Sequence, residues 1–279
     1  MPELPEVEIV AQGLRSRLIS RRIAGVEVFL EKLARPHPQA IIQNLPGQVV
    51  RSIGRKGKLL VWELDEWLLA VHLKMTGTFC LLPPNEPPAK HTHLRFTFDD
   101  APFELHYRDL RQFGWFHLLQ PAELAAWPVW TGLGPDALKI SRPEFLDRLK
   151  GRRGRLKPLL LNQSFLAGLG NIYVDEALHR AGLHPLYPAE SLTRAAGQRL
   201  YQAIQEVLAQ ALEAGGSSVA NFQDIEGQMG YFQTRHLVYH RQGQACSTCG
   251  AEIDRLKISG RSSFFCPRCQ KMGKGGGIS

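Results

Sequence analysis

The stretch LLVWELDEWLLAVHL at residues 59–73 decides the fold. Its two apolar runs, Leu59–Leu64 and Trp67–Leu73, flank an Asp-Glu pair, and such runs around a polar turn are typical of paired β-strands. Three later segments have the same composition: Leu94–Phe98, Phe103–Tyr107 and Trp115–Leu119. Several short strands at this spacing predict an antiparallel β-sandwich or flattened barrel in the first half of the chain.

The segment before these strands has a different period. Val7, Val10, Leu14 and Leu18 recur at helical spacing. This pattern predicts one amphipathic helix over Pro5–Leu18, beside the strands.

The second half of the chain is predicted to be helical. It follows residues 120–135, where three prolines and two glycines interrupt any periodicity. Ser141, with Glu144 three residues later, forms a capping box that begins a helix. An apolar stripe over 200–211 predicts a longer helix that ends at the following Gly-Gly pair.

Two shorter helices, at 158–162 and 171–181, flank the glycine-rich turn 168–170. Helices joined by a tight glycine turn are common in DNA-docking units, and ordinary helical hairpins have the same description.

The fold class predicted from these strands and helices is α+β. We divide the chain into a β-sandwich domain (1–132), a helical domain (133–236), a cysteine-bearing hairpin module (237–270) and a disordered basic tail (271–279).

Composition limits the classes of function. The 279 residues carry a formal charge of +8 and a pI near 9.4, which favours a polyanionic partner such as nucleic acid. The sequence contains no secretory leader pattern and no apolar run of 18 residues. We therefore expect a cytoplasmic monomer with no membrane partner.

Four of the five cysteines form two CxxC pairs separated by sixteen residues, namely Cys246, Cys249, Cys266 and Cys269. This spacing predicts one tetrahedral four-thiolate Zn²⁺ site, which is structural because no ligand position is left for water. Two disulfides or an iron–sulfur cluster are the alternatives. The hairpin between the pairs carries Arg261 near its expected tip, where a guanidinium could bind phosphate or simply be solvated.

The chain starts MPELPE. Once Met1 is removed, Pro2 has a secondary amine, and an α-amino group with a pKa of about 8 is far more often unprotonated at neutral pH than a lysine. Glu3 and Glu6 could divide the proton transfers that such a nucleophile requires. The alternative is a helix start whose acids only complement the helix dipole.

Several motifs together resemble the formamidopyrimidine-DNA glycosylases over nearly the whole chain. They are PELPEVE at 2–8, RKGKLL at 55–60, HLKMTG at 72–77, KHTH at 90–93, DLRQFG at 109–114, LGPDAL at 133–138, LAGLGNIYVDEAL at 166–178 and RSSFFCPRCQ at 261–270. The resemblance implies a sandwich domain, a helix–two-turn–helix domain and a zinc finger. It implies a base-excision-repair enzyme that removes 8-oxoguanine and formamidopyrimidines from damaged double-stranded DNA and then cuts the strand as an AP lyase.

The resemblance also implies roles for single residues. Pro2 would be the Schiff-base nucleophile, Glu3 the proton donor and Glu6 a supporting carboxylate. Lys58, expected in the strand after Gly57, would bind phosphate and assist β-elimination, and Arg261 would serve δ-elimination. The implied DNA-backbone contacts are His91, Arg111, Arg153 and Asn171.

A base flipped out of the duplex leaves a void. The resemblance implies that Met75, Arg111 and Phe113 fill it, and that the loop 216–231, with Asn221, Gly227 and Gly230, covers the damaged base. Two positions depart from the common pattern: Gln112 stands where a basic residue is frequent, and Lys74 where glycine is frequent.

Two other functions are weighed against this one. An endonuclease VIII-like enzyme would prefer oxidised pyrimidines, but Leu4 in place of glycine and the void-filling set argue against that branch. A zinc-ribbon DNA-binding protein without catalysis would keep DNA affinity, but the presence of Pro2, Glu3 and Lys58 favours an enzyme.

Overall fold

A computed structural model describes residues 2–219 and 222–273 of the chain. It divides into two compact units, one built from residues 1–131 and 214–231 and the other from residues 132–213 and 232–279. In the described residues no helix is both long and apolar enough to cross a membrane.

The first unit contains two β-sheets. One has the strand order β1-β7-β8-β6 and the other β2-β9-β5-β4-β3, and only the β2-β9 pair is parallel. The strands are β1 (Ile23–Val28), β2 (Ala34–Arg35), β3 (Ser52–Lys56), β4 (Leu59–Glu63), β5 (Leu68–His72), β6 (Gly77–Leu82), β7 (Thr92–Phe98), β8 (Glu104–Asp109) and β9 (Trp115–Leu119).

Aromatic rings from both sheets share one core. Trp62 of β4 lies 5.9 Å from Phe79 of β6 and 5.6 Å from Phe96 of β7, measured between ring centroids. Phe116 of β9 packs edge-on against Tyr107 of β8 at 4.8 Å. All five side chains are fully buried, and tilted or edge-on pairs are the favourable aromatic geometry. The predicted antiparallel sandwich is confirmed.

Helix α1 (Leu4–Leu18) packs on the sheet that contains β3 and β4. It begins one residue earlier than the periodicity predicted, because Pro5 occupies the first turn, where the missing N–H has no helical partner to lose. Glu3 therefore becomes the N-cap, with extended backbone dihedrals. Two short helices complete the unit: α2 (Pro38–Asn44) and α3 (Pro128–Thr131).

The second unit is helical and carries one hairpin. Ser141 Oγ accepts the Glu144 backbone N–H at 3.3 Å, which is the N-cap half of the capping box predicted from the sequence. The helices are α4 (Arg142–Leu149), α5 (Leu156–Leu161), α6 (Asn171–Ala181) and α7 (Arg194–Glu213), and the hairpin strands are β10 (Asp254–Ile258) and β11 (Arg261–Phe265).

Two segments differ from the domain division made on sequence. Residues 214–231, assigned there to the helical domain, belong to the first unit, where the Leu81 N–H donates to the Ile225 carbonyl at 2.9 Å. Lys271, assigned to the tail, pairs with Leu183. The part of the predicted tail from residue 274 onwards lies outside the described residues.

Candidate active site and nucleic-acid interface

The start of α1 brings Pro2, Glu3 and Glu6 together in a buried position. Glu3 and Glu6 are 3% and 1% exposed. Glu6 Oε2 accepts the Glu3 backbone N–H at 2.8 Å, which closes the first turn of the helix. Glu3, the residue after Pro2, is thus held through its own backbone N–H.

The second carboxylate oxygen of Glu6 binds the loop 214–231. Glu6 Oε1 accepts the Ser217 backbone N–H at 2.8 Å. Gly216, with φ +83°, lies so near that a Cβ there would be 3.1 Å from Glu6 Oε1. Glu6 is therefore a structural anchor for both segments. Asn221 of this loop lies outside the described residues.

Lys58 lies in the two-residue turn between β3 and β4, where the sequence had placed it in the strand itself. Gly57 precedes it with φ +59°, a backbone angle that suits glycine at the first position of such a turn. Arg55 Nη1 donates to the Gly57 carbonyl at 3.1 Å, and Arg55 Nε donates to Glu8 Oε2 at 2.6 Å. Because Glu8 belongs to α1, this buried guanidinium links the turn to the helix.

Met75, Arg111 and Phe113 project from two neighbouring loops of the same unit. Met75 is 37% exposed and Phe113 is 52% exposed. The Arg111 guanidinium carbon lies 4.7 Å from the centre of the Phe113 ring, within cation–π distance. Leu110 of the second loop is also exposed, at 58%. Single exposed apolar side chains are common, but a group of them can mark an interaction surface.

The two departures from the family pattern share a backbone feature. Lys74 and Gln112 both have positive φ, at +54° and +55°. Glycine adopts this conformation without steric cost, which agrees with the glycine that the family resemblance implies at the Lys74 position. Gln112 Oε1 accepts a hydrogen bond from Lys32 Nζ at 2.8 Å, so an ammonium group lies beside the position that is often basic.

His72 is a partly buried neutral base near these loops. Its Nδ1 accepts the Lys74 backbone N–H at 3.0 Å. Burial, together with the charges of Lys74 and Lys58, lowers the pKa of His72 to about 3. His72 therefore supports the turn before Met75 without carrying charge at neutral pH. His72 was not among the site residues predicted from the sequence.

In the second unit, Asn171 binds the hairpin at the residue after its arginine. Asn171 begins α6, and its Nδ2 donates to the Ser262 carbonyl at 2.9 Å. Arg261 precedes Ser262 and follows the two-residue turn Ser259-Gly260. Both turn residues have positive φ, as a tight hairpin requires. Arg261 is exposed, as is Arg153 in the loop between α4 and α5.

A buried ion pair fastens the same hairpin. Lys157 Nζ lies 2.6 Å from Asp175 Oδ1, with both side chains fully buried. Lys157 also donates to the Ser262 carbonyl at 3.1 Å, and Asp175 Oδ2 accepts the Phe264 N–H at 3.0 Å. Sequence reasoning missed both residues. The available signal was a charge within the apolar run LKPLLL at 156–161.

Four cysteines meet the geometry of one zinc ion. Cys249 and Cys266 Sγ are 3.4 Å apart, Cys246 and Cys269 Sγ are 3.9 Å apart, and all four sulfurs lie within 4.8 Å of one another. Tetrahedral coordination at about 2.3 Å places sulfurs about 3.8 Å apart, whereas a disulfide requires about 2.05 Å. The disulfide alternative is wrong, and the four-thiolate set fits a structural Zn²⁺.

Three family models match the chain: the Formamidopyrimidine-DNA glycosylase N-terminal domain at residues 1–116, the Formamidopyrimidine-DNA glycosylase H2TH domain at 132–223, and a zinc finger found in FPG and IleRS at 243–271. A formamidopyrimidine-DNA glycosylase of Pelotomaculum thermopropionicum is 43% identical over 276 residues, covering 98% of this chain and 100% of that protein.

Solved structures of DNA complexes have the same fold. A Lactococcus lactis Fpg bound to DNA with an abasic site matches with a TM-score of 0.90 and 34% identity, covering 96% of this chain and 99% of that one. A MutM bound to DNA containing carbocyclic 8-oxo-G matches with a TM-score of 0.89 and 35% identity, covering 97% of this chain and 100% of that one.

The fold, the zinc finger and these matches define the class of protein as a DNA-repair glycosylase. The chain belongs to the formamidopyrimidine-DNA glycosylase family. The finger is accordingly a zinc site, which removes the iron–sulfur alternative.

Proposed function

We propose that this chain excises 8-oxoguanine and formamidopyrimidines from duplex DNA through a Schiff base on Pro2 and then cuts the strand by β- and δ-elimination. The observation that carries the proposal is the buried Pro2-Glu3 start, fixed by the Glu6 hydrogen bond to the Glu3 N–H. The printed names of the relatives and their lesion-containing complexes support the substrate class.

The first step joins the prolyl nitrogen to C1′ of the damaged nucleoside. The nitrogen lone pair forms the new bond, and the glycosidic bond breaks as the base leaves. The prolyl N–H proton then passes to water while the C1′–O4′ bond of the sugar breaks, and Glu3 supplies the proton that the departing base or the ring oxygen requires. The resulting iminium is an electron sink that acidifies the C2′ proton. Its removal expels the 3′ phosphate, a second elimination expels the 5′ phosphate, and water then releases the sugar remnant from Pro2.

Other residues bind the DNA backbone and fill the gap that the flipped base leaves between its neighbours. We assign phosphate contacts to Lys58, His91, Arg111, Arg153, Asn171 and Arg261. We assign void filling to Met75, Arg111 and Phe113, whose exposed apolar surface suits insertion between bases. Lys58 additionally assists β-elimination and Arg261 assists δ-elimination.

Borohydride trapping tests the proposal. Protein with a processed N-terminus, mixed with an 8-oxoguanine duplex and borohydride, is expected to form a covalent adduct, and peptide mass analysis is expected to place the adduct on Pro2. A matched chain with an N-acetylated Pro2 should bind the duplex and form no adduct. Base release without a trapped adduct contradicts the Schiff base. Preference for a thymine-glycol duplex would instead favour the endonuclease VIII-like branch, and binding without base release would favour the non-catalytic alternative.

A further inference from the structure

Asp109 ends strand β8 and is fully buried. Its Oδ2 accepts the backbone N–H of Phe113 at 2.9 Å and of Gly114 at 2.7 Å. Its Oδ1 accepts the Arg111 N–H at 3.2 Å. One carboxylate therefore holds the backbone of the whole loop 110–114, which carries Arg111 and Phe113.

The same carboxylate reaches the loop that carries Met75. Thr76 Oγ1 donates to Asp109 Oδ1. The Thr76 oxygen in turn accepts the Arg111 N–H at 2.9 Å. Hydrogen bonds to an ionised acceptor are stronger than those between neutral groups. The loops 73–77 and 110–114 are thus joined at one buried anion.

Gly77 and Gly114, the last residues of the two loops, both lie against the buried side chain of Tyr107. A Cβ built on Gly77 would be 2.2 Å from the Tyr107 hydroxyl oxygen, and a Cβ built on Gly114 would be 1.8 Å from it. No side chain fits at such distances, so both backbones rest against the same phenol. The main chain of Asp109 is fixed as well, because its N–H donates to the His91 carbonyl at 3.1 Å.

We propose that Asp109 is the positioning residue that makes Met75, Arg111 and Phe113 enter the duplex as one preorganised unit. The inference rests on the proposed function, since it assigns a task to Asp109 only if these side chains fill the void of a flipped base. Without the carboxylate the two loops would move independently, and the time spent in the inserting arrangement would fall. The loss would affect eversion of a stacked base more than chemistry at a sugar that carries no base.

The test compares Asp109→Asn with Glu104→Gln. Asparagine keeps the shape but turns an NH₂ group towards backbone N–H donors. Glu104 lies on the same strand, is also buried, and accepts the Asn85 N–H at 3.0 Å, so Glu104→Gln is a matched loss of a buried carboxylate away from the two loops. Thr76→Val and Thr76→Ser form a second pair, in which only serine keeps the hydroxyl.

Two readouts are expected to move together. Amide hydrogen exchange at residues 111, 113 and 114 should accelerate in the free Asp109→Asn protein. Single-turnover release of 8-oxoguanine from duplex should fall by about tenfold or more, while borohydride trapping on an abasic duplex changes by less than about threefold. Thr76→Val should show the same split more weakly, and Thr76→Ser should restore base release.

The inference is overturned if base release and abasic trapping fall equally, if exchange at these amides is unchanged, or if Glu104→Gln gives the same split. Wild-type protein that neither releases a base nor forms an adduct refutes the proposed function itself, and the task of Asp109 falls with it. If the wild-type protein is active and the Asp109→Asn variant releases the base at the wild-type rate, the role of Asp109 is refuted while the proposed function stands.

Discussion

The carboxylate of Glu6 lies 2.8 Å from the backbone nitrogen of Ser217, a residue 211 positions later in the chain. Its other oxygen holds the Glu3 N–H. The same buried carboxylate therefore holds both the start of α1 and the segment around Ser217.

Glu6→Gln is expected to lower the free energy of unfolding by about 1–3 kcal/mol, because an amide donor then faces a buried backbone N–H. It should also lower the rate of adduct formation on an abasic duplex, since Glu3 loses its backbone support. Chemical denaturation and borohydride trapping measure the two effects.

The matched control is Glu226→Gln. Glu226 pairs with Arg17 and so also connects the loop 214–231 to α1, but both side chains are 49% exposed. Surface ion pairs of this kind contribute about 0–1 kcal/mol, so both measurements should stay close to wild type. Equal effects of the two substitutions would contradict a special role for the buried carboxylate.

His72 predicts an acid-sensitive fold. Burial lowers its pKa to about 3, against 6.5 for an ordinary histidine. Above pH 6.5 the ring is neutral in both states and its contribution to stability is fully present. As pH falls towards 3, the unfolded chain binds a proton that the folded ring refuses, and the free energy of unfolding decreases by up to about 1.4 kcal/mol per pH unit.

His72→Asn should flatten this dependence, because asparagine offers the Lys74 N–H an acceptor that does not titrate. Denaturation midpoints between pH 4 and 7 measure the slope. His37→Asn serves as the control, since His37 is an exposed helix cap that accepts the Ala40 N–H, and asparagine also caps helices well. A slope that is the same in His72→Asn and wild type would show that another group causes the acid sensitivity.

The zinc site predicts that substitutions of Cys249 and Cys80 have different effects on the zinc content. Cys249→Ser is expected to abolish stoichiometric zinc, measured by elemental analysis of purified protein, because a hydroxyl does not replace a thiolate ligand. Cys80→Ser should retain one zinc ion per chain, because Cys80 lies in β6 of the first unit. Retention of zinc by the Cys249 variant would mean that the four sulfurs do not act together.

Arg261→Ala is expected to weaken binding to undamaged and damaged duplex alike, because a phosphate contact does not depend on the base. The slope of log affinity against log salt should become shallower by about 0.9, the value for one neutralised phosphate. Arg199→Ala removes an equal charge from the exposed side of α7 and should change the slope less. A lesion-specific loss in the Arg261 variant would contradict a phosphate contact.

The predicted strands at 59–119 lie within one or two residues of those observed, because their apolar runs are buried in the sandwich. β3 was not predicted, since its sequence SIGRK has no apolar run and gains its pairing from β4. The parallel contact of the two-residue β2 with β9 has no local signal either.

Site residues divide in the same way. Pro2, Glu3, Lys58 and the cysteines stand in motifs that can be read locally, although the roles of the first three remain predictions. Glu6 accepts the backbone N–H of Ser217, 211 positions later, and a backbone N–H has no identity in a sequence. Asp109 accepts the Thr76 hydroxyl of another loop, a contact that only the strand pairing brings about. The grouping of residues 214–231 with the first unit depends on such bonds, so periodicity could not reveal it.

The first unit closes only when two distant stretches of chain meet, and residues 132–213 are synthesised between them. At about 5–20 residues per second, those 82 residues occupy a ribosome for about 4–16 s. Throughout that interval the nascent sandwich lacks the Ser217 amide that completes the surroundings of Glu6. The amino-terminal residues are thus the first to be made and among the last to reach their final environment, because the surroundings of Glu6 are complete only once the chain has been translated as far as Ser217.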